Sequence, residues 1–71
     1  MSQKAMRPAE VIRAIEKLGG EMVRQKGSHV RMREGDCYTT VPVHARDLPK
    51  GLLRGVERDL EPCLGEGWLR K

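Results

Sequence analysis

Arg24-Gln25-Lys26-Gly27-Ser28-His29, followed by Val30-Arg31-Met32-Arg33 and, further on, by Thr40-Val41-Pro42-Val43-His44, decides the fold of this chain. Gly27-Ser28 reads as a two-residue hairpin connection, with glycine at the first central position, where a type II′ turn requires positive φ. The residues flanking such a turn are cross-strand neighbours on one face, which pairs Lys26 with His29. Outward by twos, Arg24 falls opposite Arg31 and Met22 opposite Arg33 on that same face. Gln25 with Val30 and Val23 with Met32 take the other. One face of the ribbon is thus expected to be apolar and the other to carry four cations around a histidine. Like charges set opposite one another destabilise a sheet, so this face points to an anionic partner outside the fold.

Outward from the hairpin the reading stays consistent. Arg33-Glu34-Gly35-Asp36 reads as a four-residue turn pairing Met32 with Cys37. That register sets Cys37, Thr39, Val41 and Val43 on the apolar face. Tyr38, Thr40, Pro42 and His44 join the cationic face, Tyr38 opposite Arg31 and Thr40 opposite His29. Pro42 lacks a ladder donor, which makes the third strand an edge or interrupts it there. Before the hairpin, Pro8 opens a helix whose stripe is Val11, Ile12, Ile15 and Leu18, closed by Gly19-Gly20. After the third strand, a second helix opens near Leu48-Pro49, carries Leu52, Leu53, Val56 and Leu60, and is stopped by Pro62. Cys63 to Lys71 reads as a tail, either frayed or a short anchor. The expected fold is α+β, in the order α-β-β-β-α: a three-stranded antiparallel sheet with both helices on one face and the cationic face open. It forms a single domain over 1–71, with a core of about 5–62 and a tail at 63–71.

Composition narrows the function. Seventy-one residues permit burial of only about 60% of the unfolded surface, so the core is small. Aromatics are 3% of the chain, too few for a single-strand binder built on stacked bases. Of the +4 net charge, residues 1–33 contribute +5 (eight Lys/Arg, three acids) and residues 34–71 contribute −1 (six against seven). That asymmetry is a directed electrostatic footprint. Cys37 and Cys63 form no metal-ligand spacing and read as a core thiol and an incidental one. No metal or cofactor is expected. No leader-like or membrane-spanning apolar run occurs, and a reducing cytoplasm fits.

These residues resemble the HicA toxin family of bacterial type II toxin–antitoxin systems. The match runs through Glu10-Val11-Ile12, Arg24 to His29, Thr40 to His44 and Leu48-Pro49-Lys50-Gly51-Leu52-Leu53-Arg54, roughly residues 5–60. Gly20 departs from it, standing where relatives often carry a large apolar residue. The resemblance implies a fold like a double-stranded-RNA-binding domain, metal-independent cleavage of mRNA, a catalytic histidine at His29, and neutralisation by a HicB antitoxin. The 2′-OH of RNA is its own nucleophile, so the protein need only move protons and offset charge at phosphorus. Histidine suits the first task; Lys26, Arg24 and Arg31 suit the second. The hairpin turn residues Gly27 and Ser28, with Arg33 and Tyr38, complete the expected RNA contacts, Tyr38 chiefly as a shield for Arg31. His44, four residues along from Thr40, falls roughly 13 Å from His29 at 3.3 Å per residue, too far to share a phosphate. The alternatives are a non-catalytic RNA-binding module using the same basic sheet, and a structural subunit whose cationic face docks an acidic protein.

Overall fold

The computed structural model describes residues 6–43 and 46–70. The first helix, α1 (Pro8–Lys17), starts with proline at its first position, and the Glu10 carboxylate accepts a 2.8 Å hydrogen bond from the Arg7 N–H. Val11 and Ile15 are fully buried, whereas Leu18 ends the expected stripe 48% exposed. The reversal after α1 needs both glycines. Gly19 takes φ +101°, and a Cβ on Gly20 would overlap the Ile15 side chain and crowd the Arg33 carbonyl. Glycine at position 20 is therefore set by how closely α1 meets the sheet.

Three strands follow, β1 (Glu21–Lys26), β2 (His29–Glu34) and β3 (Cys37–Pro42), forming one antiparallel sheet in the order β1-β2-β3. The chain then enters α2 (Lys50–Leu64) and ends the described region in a short 3₁₀ turn at Trp68–Arg70. The α-β-β-β-α order is as expected. Val30, Met32 and Val41 on the inner sheet face pack with Val11 and Ile15 of α1, Leu53, Val56 and Leu60 of α2, and Leu48, Trp68 and Leu69. Leu48 is drawn inward by pairing with Met6, to whose carbonyl its N–H donates at 2.7 Å.

The sheet corrects the expected register in two places. A β-bulge between Met22 and Arg24 sets Met22 opposite Met32 and Glu21 opposite Arg33, in place of the Val23–Met32 and Met22–Arg33 pairs. The bulge replaces a methionine opposite an arginine with a carboxylate opposite an arginine, and those two side chains form an ion pair. The second hairpin is also tighter. Gly35-Asp36 is a two-residue turn, with Gly35 at φ +59°, and Glu34 faces Cys37. Tyr38 thus lies opposite Arg33, Thr40 opposite Arg31 and Pro42 opposite His29. A shift of two residues leaves every β3 side chain on its expected face, whereas the bulge moves Met22 from the cationic face to the inner one. The apolar face of β1 is the third correction: all six of its residues are exposed.

Two further expectations fail at the end of α2. Pro62 lies inside the helix. The bond it cannot donate would go to Arg58, on an exposed flank where water can satisfy the carbonyl. The cysteines are not independent thiols: Cys37 and Cys63 form a disulfide, their Cα atoms 6.2 Å apart, joining the start of β3 to the end of α2 across 26 residues. Restricting the unfolded chain over a loop of that length stabilises by about 3 kcal/mol. Reduction, or Cys63→Ala, should lower the urea unfolding free energy by about that much, and an unchanged midpoint with dithiothreitol would show that the bridge contributes nothing.

The tail is the anchoring alternative. Trp68 and Leu69 are buried, and the Trp68 indole donates to the Glu57 carbonyl at 2.7 Å. The Glu57 carboxylate, only 2% exposed, accepts from the Leu69 N–H at 3.3 Å and from Arg70 Nε at 3.2 Å. A buried carboxylate needs such partners, and the tail supplies both.

Candidate functional site

The site is built by the first hairpin. Gly27 takes φ +60°, the sign required of a II′ turn, and Lys26 pairs directly with His29. Arg24 pairs with Arg31, whose other neighbour across the sheet is Thr40. Alternation puts all of these on the face away from the helices, where Arg24, Lys26, His29, Arg31 and Thr40 line an open depression of about 190 Å³. Ser28 sits in the turn, and its carbonyl accepts a 2.6 Å hydrogen bond from the Val43 N–H, which carries the β2–β3 pairing past His29.

Arg33 and Tyr38 lie on the same face but outside the depression. Arg33 is ion-paired with Glu21. Hydrogen bonding to Tyr38, then to Glu21, raises its pKa above the usual arginine value, so its charge is fixed and already offset. Tyr38, 42% exposed, lies beneath Arg31, with Cζ 4.9 Å from the ring centroid. The shielding contact expected between these residues is present as a diagonal, since Tyr38 faces Arg33. One phenol thus orders two arginines. Thr40 was expected on this face, opposite His29, but not as part of the site; it lies opposite Arg31 instead and lines the depression, adding a hydroxyl donor to the three cations.

His44 lies outside the described residues. Two hollows elsewhere are larger: about 280 Å³ among Ala14, Lys17, Leu18, Leu64, Trp68 and Leu69, and about 300 Å³ among Arg7, Arg46 and Asp47. Among the described residues that line them, neither contains an imidazole or another group suited to proton transfer near neutral pH, so size is a poor guide here. Among the described residues, no group of three or more His, Cys, Asp or Glu is placed to hold a metal ion, and no helix is long and apolar enough to cross a membrane.

Chemically, the depression can hold a phosphate against three cations and present it to one imidazole. The sequence pattern of the family described as HicA toxin of bacterial toxin–antitoxin matches residues 8–61, a span that contains the whole depression. No curated protein and no solved structure matches the chain.

Proposed function

The chain belongs to the HicA toxin family of bacterial toxin–antitoxin systems, and we propose that it acts there as a metal-independent mRNA endoribonuclease. The observation that carries this reading is the single depression in which Arg24, Lys26 and Arg31 surround His29. Arg24, Lys26 and Arg31 bind the scissile phosphate and offset the charge that develops at phosphorus. His29 takes the proton of the 2′-OH as that oxygen attacks; the 5′-oxygen leaves with a proton from water and is released as a 5′-OH, and the imidazolium returns its proton to solvent. The bond broken is P–O5′, the bond formed is P–O2′, and the product is a 2′,3′-cyclic phosphate. An mRNA substrate would put the activity in the cytoplasm, where the Cys37–Cys63 bridge would be open to reduction.

The test is direct. The purified chain, incubated with mRNA in EDTA, should yield fragments ending in 2′,3′-cyclic phosphate or 3′-phosphate. Loss of cleavage in EDTA would defeat the mechanism, and RNA binding without cleavage would establish the non-catalytic module in its place.

The cations should be separable by salt dependence. Each of Arg24→Gln, Lys26→Gln and Arg31→Gln should weaken RNA binding and reduce the slope of log affinity against log salt by about one unit. Arg33→Gln should change the slope less, because Glu21 already offsets that charge. Equal slopes for all four variants would place the RNA elsewhere.

An exposed nuclease site endangers its own cell, so the partner antitoxin is read as a HicB-like protein with an acidic surface that covers the sheet face. Complementary charge would also speed their association.

A further inference from the structure

The hairpin carries a second surface at right angles to the cationic face. Among the described residues, β1 has a hydrogen-bonded neighbour on one side only, and all six of its own residues are exposed. It projects beyond the helical layer, so its inner face is bare. Met22, set opposite the buried Met32 and hence on the inner side, is 52% exposed; Val23 at the bulge is 40% exposed. With Leu18 they are three of the four large hydrophobics exposed among the described residues, all within six residues where α1 hands over to β1. The opposite edge differs: β3 packs against both helices, and Pro42 has no N–H to offer.

We propose that β1 is an open edge completed by a strand of an acidic protein partner, which extends the sheet beside the catalytic cluster. Lys26 and Arg24 form the hydrogen-bonded pairs next to the turn, so the intervening Gln25 directs its N–H and C=O away from β2. An added strand would bond to those groups. Its alternate side chains would meet two different surfaces. Those on the helical side meet Met22 and Val23 and are apolar; those on the open side meet Arg24 and Lys26 and are acidic. A second copy of this chain is a poor occupant, because it would set Arg24 and Lys26 against their own kind. An RNA strand has no peptide backbone to continue the ladder.

The proposal rests on the reading that an antitoxin silences this nuclease, and adds how it docks. The test uses the full chain in complex with its HicB-like antitoxin. Exchange of the Gln25 amide proton should slow at least tenfold on binding. Gln25→Pro, which deletes that donor, and Val23→Asp, which sets an acid on the apolar edge, should each weaken antitoxin binding at least tenfold. Both free variants should still cleave RNA, which also shows that they fold. Complete inhibition with Gln25 exchanging at its free rate, or wild-type binding by Val23→Asp, overturns edge pairing and leaves the nuclease reading standing. If the antitoxin binds without inhibiting cleavage, the partner reading falls, and edge pairing with it.

Discussion

His29→Ala abolishes RNA cleavage, with a loss of about 10²- to 10⁴-fold or more, and leaves the domain folded. The two halves of this expectation have separate physical grounds. His29 is exposed at the start of β2, on the face opposite the core, so truncating it opens no cavity and the melting temperature should move by little. Among the described residues its chemistry has no substitute within the depression, where the other described lining groups are two arginines, a lysine and a threonine. None of these exchanges protons readily near neutral pH. Binding should persist, because the three cations that hold the phosphate remain. The variant should therefore retain RNA affinity and its salt dependence, lose cleavage, and lose growth inhibition in cells. Wild-type-like cleavage by purified His29→Ala would end the catalytic assignment.

Much of this site was legible in the sequence because the face a strand residue occupies depends only on parity. The second hairpin is two residues tighter than the turn reading gives, and every cross-strand pair in it differs, yet His29, Arg31 and Thr40 still share the open face. The pairings themselves depend on what alternation cannot reveal. The bulge at Val23 follows from a preference between distant side chains, Glu21 for Arg33 over Met22 for Arg33. The bare inner face of β1 follows from where the helical layer ends, which no periodicity encodes. Glu57 was invisible for a different reason: it lies between the stripe residues Val56 and Leu60, and its burial depends on a tail with no periodicity of its own. The cysteines are 26 residues apart in sequence and meet only because α2 runs back to the start of β3.

The tail yields the largest expected loss of stability. Trp68→Ala should destabilise the domain by about 3–5 kcal/mol, the usual range for removing a buried large aromatic side chain. The indole is 4% exposed and its N–H satisfies the Glu57 carbonyl, so truncation opens a cavity and removes a hydrogen bond together. It also weakens the reason for the 3₁₀ turn to stay docked. If Leu69 and Arg70 move away, the Glu57 carboxylate, 2% exposed, loses both partners described for it. A domain of this size has about 5–15 kcal/mol at most to lose, and each kcal/mol is worth about 4–8 °C in melting temperature. The expected drop is therefore more than 12 °C, and reducing conditions that open Cys37–Cys63 should deepen it. Trp68→Phe separates the contributions: it keeps most of the buried ring and deletes the N–H, and should cost about 1–2 kcal/mol. Glu57→Leu in the Trp68→Ala background should recover part of the loss, because it removes the carboxylate that the tail otherwise has to satisfy. Thermal unfolding of the four proteins checks the set, and a melting temperature for Trp68→Ala within a few degrees of wild type would show that the tail is not part of the fold.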